Sequence, residues 1–429
     1  MRTRLKNISV CDPVQNINDK YDILIENGVI TGLSAPGSDS SGADREIDFT
    51  GCVAVPGFFD MHVHLREPGR EDKETVITGC NSAARGGFTG VACMPNTTPA
   101  IDSAETVHFI RMKAEKHLVD VHPVAAATLG RKGETLSPIA ELSEAGAVAF
   151  SDDGVAIKTA AILRRVMEYA NMFDRPVIEH CEDDSLAGGA MNEGFNSTIF
   201  GLSSVPPIAE ELTVARDIMM AEYTGARVHI AHISTKNAID LVRQGKAKGI
   251  KVTAEVTPHH FTLTDDMLAG YDTNYKMNPP LRTAEDVAAA VEGLRDGTID
   301  CIASDHAPHT LEEKEMEFEY APNGILGLET QVGITLTELY HNNILSLEQI
   351  VEKLAINPRK ILGLEIPSIK EGAVANITIL DPESEWQFDS SKMKSKSFNT
   401  PFHGTNYKGC AKAVINKGQI YHNDTFSTI

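Results

Sequence analysis

The sequence predicts an α/β protein: a (β/α)8 barrel flanked by a small β-sandwich domain that both termini build. Three observations predict it. Eight apolar runs alternate with helical patterns through the middle of the chain. Short strand-and-turn segments occupy both ends. The residues that close the apolar runs are rich in metal-ligating side chains. A doubly wound open sheet is the competing architecture.

Residues 1–55 read as the N-terminal part of the β-domain. Within them Asn27-Gly28 stands between β-branched flanks, the signal of a two-residue hairpin turn. The barrel is expected over residues 56–364. Its strands are read from the runs 52–64, 90–95, 121–128, 147–152, 176–181, 227–233, 250–257 and 298–304. Amphipathic helices are expected between them, over 73–86, 103–118, 157–173, 207–224 and 283–296 among others. Residues 365–429 return to half-buried strands, as in 372–382 and 413–421, and are expected to complete the β-domain.

Composition excludes several classes. A formal net charge of −21 over 429 residues argues against a nucleic-acid or anionic-membrane surface. The N-terminus is basic but no apolar segment follows it, and no stretch approaches membrane-spanning length. The seven cysteines are scattered without a CxxC pair, which fits reduced thiols and a cytoplasmic protein.

In a barrel, residues just past the C-terminal end of each strand face one mouth. The first run ends in Asp60-Met61-His62-Val63-His64-Leu65-Arg66. Alternation puts His62 and His64 on one side, where two imidazoles hold a borderline-soft cation such as zinc; an ordinary surface strand with two histidines is the bland alternative. Later runs end in Met94-Pro95-Asn96, Ser151-Asp152-Asp153, Glu179-His180-Cys181, Ala231-His232 and Ser304-Asp305-His306. Four histidines and two aspartates would converge, the donor set of a one- or two-metal hydrolytic centre. There a metal-bound hydroxide would serve as nucleophile, and Asp305, closing the last strand, would be placed to accept its proton. No GxSxG elbow or papain-like cysteine signature offers a side-chain nucleophile. Asp152 is expected to brace its loop, and Cys181 to be a buried thiol. His229, of opposite parity to His232, is expected to pack or hydrogen-bond under the helices. His259 and His260 are read as mouth-lining residues but not ligands.

The motifs HVHLREPG at 62–69, MPNT at 94–97, FSDDG at 150–154, EHCED at 179–183, AHIST at 231–235, NPPLR at 278–282 and SDHAPH at 304–309 resemble those of the cyclic amidohydrolases, most closely the bacterial long-chain dihydroorotases. The resemblance spans nearly the whole chain. It implies His62, His64, His180, His232 and Asp305 as metal ligands, with Asp153 where many amidohydrolases carry a carboxylated lysine. Lys158, the nearest lysine, is read as lying in the following helix, a poor place to bridge. It further implies Arg66, Asn96 and His309 as a clamp for a ring carboxylate, and Asn278 as a contact to the ring amide. The bland reading of Arg66 is a salt bridge with Glu67 or Asp60.

The expected activity is then the reversible interconversion of N-carbamoyl-L-aspartate and L-dihydroorotate in pyrimidine biosynthesis, with one or two Zn2+ per chain. A hydantoinase, dihydropyrimidinase or allantoinase is the nearest rival. A non-catalytic scaffold partner of aspartate transcarbamoylase is a rival of another class. A homodimer, and a complex with aspartate transcarbamoylase, are the expected assemblies. Loops 183–205 and 310–327 are the candidate lids, the second also readable as a solvated acidic loop.

Overall fold

The computed structural model describes residues 1–39 and 41–429. Eight parallel strands follow one another in chain order: Phe58–Val63, Phe88–Cys93, Asp120–Ala126, Ala149–Ser151, Val177–Glu179, Val228–Ile230, Val252–Val256 and Cys301–Ile302. A parallel bridge between Val63 and His306, with His64 N–H donating to the His306 carbonyl at 2.9 Å, joins first strand to last. The predicted (β/α)8 barrel is therefore observed.

Its side chains divide between two layers, and register shifts after Phe58 and between Asp60 and Val63 let residues of opposite parity share one of them. Phe58 and Val63 of the first strand pack with Val76, Cys80 and Ala83 of helix Val76–Gly86, in the large cluster between strands and helices. Phe59 and Met61 fall instead into a second cluster with Ala92, Met94, Val124, Ile178 and Cys301. The helices keep the expected order at Ala104–Ala114, Ala160–Asn171, Ile208–Thr224 and Ala284–Asp296.

The run 52–64 is two strands rather than one. Val53–Pro56 belongs to the terminal sheet, pairing parallel with Arg2–Asp12 and antiparallel with Ile377–Gln387. Gly57 makes the break, because a Cβ there would lie 1.9 Å from Asn376 Oδ1 and 2.3 Å from Thr89 Oγ1. Only glycine lets the chain pass so close as it leaves one sheet for the other.

Around Val53–Pro56 the two ends of the chain assemble into one nine-stranded sheet. Asn27 and Gly28, at φ 50° and 80°, form the expected hairpin turn, with Glu26 opposite Val29. Leu5, Ile8, Ile23, Ile25, Ile377, Ile379 and Ile415 pack together as the core of this domain. Among the described residues no helix is long and apolar enough to cross a membrane.

Candidate metal centre and substrate cavity

The six predicted ligands meet at one place, all buried. Asp153 lies in their midst: its Oδ1 is 3.4 Å from His62 Nε2, 3.6 Å from His232 Nε2 and 3.9 Å from His180 Nδ1. Its Oδ2 is 3.6 Å from His64 Nε2. Asp305 Oδ1 sits 2.8 Å from His64 Nε2 and 3.5 Å from His62 Nε2. Three overlapping triads bring their donor atoms within 4.8 Å of one another: His62, His64 and Asp153; His62, His232 and Asp305; Asp153, His180 and His232.

The residues fit a cation. Among the described residues His62 Nε2 and Asp153 Oδ1 are buried without a hydrogen-bond partner, a cost that a bound metal removes. The chemistry of the set, imidazole with carboxylate, suits zinc. The electrostatics agree. Burial disfavours a charged His62, yet Asp153, Glu255 and Asp305 together push its pKa well above the ordinary imidazole value. Burial would likewise raise Asp305, but His62 and His64 hold it below the usual carboxylate range. Carboxylate charge in this pocket calls for a cation.

The backbone at the site is unusual. Arg66, His232 and Asp305 take positive φ values of 60°, 31° and 45°, conformations costing about 1–3 kcal/mol each in non-glycine residues. All three lie just past a strand end, where the ladder no longer dictates direction.

That geometry corrects the expectation for His229. Counting parity from His232 fails because the strand stops at Ile230 and His232 bends away in left-handed backbone. His229 does not sit under the helices. It faces the neighbouring strand, with Nε2 3.2 Å from Glu255 Oε2 and Nδ1 2.8 Å from Thr253 Oγ1. Glu255 in turn accepts from His62 Nδ1 at 2.6 Å. Burial would raise the Glu255 pKa, but His62 and His229 beside it hold it at about 2. An anionic Glu255 fixes the His62 proton on Nδ1 and turns the Nε2 lone pair toward the ligand cluster. Sequence reading missed Glu255: one glutamate inside an apolar strand, with partners distant in the chain, leaves no local signal.

Other placements are simpler. Asp152 braces its loop by accepting from the Thr128 N–H and hydroxyl. Lys158 precedes its helix rather than lying in it; the helix starts at Ala160 behind a Thr159 cap, and the Lys158 ammonium pairs with Asp184 at 3.1 Å. Cys181 is buried with its Sγ 3.4 Å from Asp217. His260 is tied to Thr257 and to the Pro279 carbonyl, and His259 is buried beside it. Loops 183–205 and 310–327 touch, because Glu319 accepts from the Ser203 N–H at 2.7 Å.

A cavity of about 250 Å3 opens over this cluster, lined by His64, Asp153, His180, His232 and Asp305 together with Arg66, Asn96, Asn278 and His309. The four predicted substrate contacts and five of the six predicted ligands thus share its wall. Arg66 forms neither of the salt bridges the bland reading offered. Glu67 is taken by Lys113 at 2.9 Å and by the Val76 N–H, and Asp60 by the Ser304 and His62 N–H groups. The Arg66 Nε donates to the Pro308 carbonyl at 3.1 Å, and among the described residues its guanidinium has no carboxylate partner within 4.0 Å.

Two further residues shape this wall without having been singled out in the sequence. Lys73, buried, has its Nζ 3.1 Å from His309 Nδ1 and 2.8 Å from Glu313 Oε2. Asn399, from the C-terminal segment, donates to the Ala307 and Gly324 carbonyls at 2.9 and 3.1 Å and accepts from the His309 N–H at 2.9 Å. It thereby holds the base of the loop after the eighth strand.

Comparison with known proteins follows the geometry. A family model described as Dihydro-orotase-like matches residues 51–238. The chain is 50% identical over 425 residues to the dihydroorotase of Pelotomaculum thermopropionicum, covering 99% of both chains. It is 51% identical over 423 residues to that of Endomicrobium trichonymphae, covering 98% of this chain and 99% of the other. Among solved structures it resembles an L-hydantoinase (dihydropyrimidinase) from Arthrobacter aurescens at 25% identity, with a TM-score of 0.87 over 100% of this chain and 97% of that one.

Proposed function

The chain belongs to the dihydroorotase family and is a cyclic amide hydrolase, and from that premise we propose that it interconverts N-carbamoyl-L-aspartate and L-dihydroorotate, with zinc at the His/Asp cluster. The observation that carries this reading is the guanidinium of Arg66. It has no carboxylate partner among the described residues and lines the same cavity as the ligand cluster. A cation there suits a ring that bears a carboxylate, which hydantoins, dihydrouracil and allantoin lack.

In this reading His62, His64, His180, His232, Asp153 and Asp305 hold the metal. Bound zinc supplies Lewis acidity and brings the pKa of a water to about 7. Arg66, Asn96 and His309 grip the ring carboxylate, and Asn278 meets the ring amide, so the scissile bond faces the ligand cluster. Asp305 accepts a proton from the attacking water and returns it to the ring nitrogen as the C–N bond breaks. Ring closure runs the same proton path backwards. Asp153 has one oxygen facing three histidines and the other facing His64, so both of its oxygens would be available to hold metal.

The reading extends to a cytoplasmic location and to a homodimer, with or without aspartate transcarbamoylase. Seven free thiols, six of them buried, support the location. Sedimentation velocity with and without purified aspartate transcarbamoylase tests the assemblies. The activity test is a substrate panel on zinc-loaded protein. Dihydroorotate is expected to give the highest kcat/KM; preference for dihydrouracil, hydantoin or allantoin would overturn the assignment. No turnover of any of them, with no zinc retained, would favour the scaffold.

A further inference from the structure

The polar groups around His309 assign a task to a residue that does not reach the cavity. His309 Nε2 lies 2.8 Å from the Asn323 carbonyl oxygen, an acceptor only, so Nε2 carries a hydrogen. The Arg66 Nη2 is farther from the same nitrogen, at 3.4 Å, and is itself a donor. On the other side of the ring, Nδ1 has two neighbours of opposite kind: the Lys73 ammonium at 3.1 Å and the Glu313 carboxylate at 3.2 Å. Lys73 is a donor and needs a lone pair on Nδ1; Glu313 is an acceptor and would need a proton there. Glu313 is already engaged, by Lys73 at 2.8 Å and Arg70 at 2.9 Å. Burial, with Arg66 and Lys73 beside the ring, holds the His309 pKa down to about 3, so one nitrogen only is protonated.

We propose that Lys73 is a positioning residue that donates to His309 Nδ1 and, with the Asn323 carbonyl on the other side of the ring, holds the imidazole in its Nε2–H tautomer, so that the hydrogen on the cavity side is one the substrate carboxylate shares with Asn323. The proposal rests on the clamp reading of Arg66 and His309. Its alternative state is built into the same site. Without the lysine, Nδ1 takes the proton and donates to the Glu313 carboxylate, and the Nε2 lone pair then faces both the Asn323 carbonyl oxygen and the bound anion. The site passes from attracting the carboxylate to repelling it through a change of tautomer, with no movement of the ring. Lys73 thus contributes to selection of carboxylated rings over neutral ones while remaining outside the cavity wall.

The test compares Lys73→Met, which removes the donor, with Lys73→Arg, which keeps one. For Lys73→Met, KM for dihydroorotate is expected to rise roughly tenfold or more, the worth of a hydrogen bond to a charged group, with kcat changed much less. Bound zinc and kcat/KM for dihydrouracil should stay at the unmodified protein's values, which reports an intact fold and centre. Lys73→Arg should recover much of the loss. The direct readout is the nitrogen spectrum of 15N-histidine-labelled protein, with the His309 signals identified by their absence in His309→Asn. The unmodified protein should show protonated Nε2, and Lys73→Met protonated Nδ1. An unshifted tautomer in Lys73→Met, or an unchanged KM, would overturn the proposal. If the unmodified protein itself showed no preference for dihydroorotate over dihydrouracil, the clamp reading would fall instead, and the tautomer measurement would still judge Lys73 separately.

Discussion

Replacing Glu255 by leucine should weaken zinc binding although Glu255 contacts no metal in the proposed centre. The carboxylate is fully buried and accepts from His62 Nδ1 at 2.6 Å while facing His229 Nε2 at 3.2 Å. Leucine has similar bulk and no acceptor. The His62 N–H is then either left unpaired, at about 1–3 kcal/mol, or its proton moves to Nε2, the atom a cation must reach. Loss of such an orienting partner typically costs 10–100-fold in metal affinity, or about 1.4–2.7 kcal/mol. Glu255→Gln should be milder. Its amide oxygen still accepts from His62, and its NH2 can face His229 because the Thr253 hydroxyl accommodates either tautomer of that ring. The assay is competition for zinc with a chromophoric chelator, with circular dichroism to verify the fold. The expected order of affinity is unmodified protein, then Gln, then Leu. A folded Leu variant binding zinc within about twofold of the unmodified protein would refute the reasoning, since that is well below the cost assigned to the lost partner.

Three other outcomes are expected. Arg66→Met should raise KM for dihydroorotate steeply and leave dihydrouracil turnover nearly unchanged; equal losses on both would mean that Arg66 supports the fold rather than the carboxylate. Asp305→Asn should lower kcat about 10²–10⁴-fold through loss of proton transfer while the other five ligands retain metal, and a kcat within tenfold would remove Asp305 from the proton path. Finally, zinc binding should release protons. Burial opposes the charge on His62, but Asp153, Glu255 and Asp305 raise its pKa well above 6.5, so in the metal-free protein it is protonated at neutral pH and the cation must displace that proton. Apparent affinity should therefore fall as pH falls, about tenfold per unit for each proton displaced. Calorimetry in buffers of different ionisation enthalpy counts them, and a count of zero at pH 7 would contradict this electrostatic account.

The convergence of the six side chains was legible because barrel strands deliver their C-terminal ends to one mouth, so the last polar residues of apolar runs are the ones that meet. His62, His180, His232 and Asp305 needed nothing beyond that rule. Parity carried less far. It failed at His229 because the chain leaves β geometry at Ile230, and it did not foresee that Gly57 divides the first run between two sheets. Glu255, Lys73 and Asn399 were illegible for a different reason. Each acts on a partner far away in the chain, and each stands in a segment whose local pattern has an ordinary explanation: a strand interior, a charged turn, and a stretch without periodicity. Tertiary contact alone gives them meaning.

Asn399 has a consequence for synthesis. The six proposed metal-holding side chains have all been translated once residue 305 emerges from the ribosome, whereas the amide that secures His309 and residue 324 comes almost a hundred positions later. A chain cut before Asn399 would keep every side chain proposed to hold metal and lose the contacts that secure His309 and Gly324. The proposed carboxylate clamp thus leans on a stretch of chain that contributes no side chain to the cavity wall.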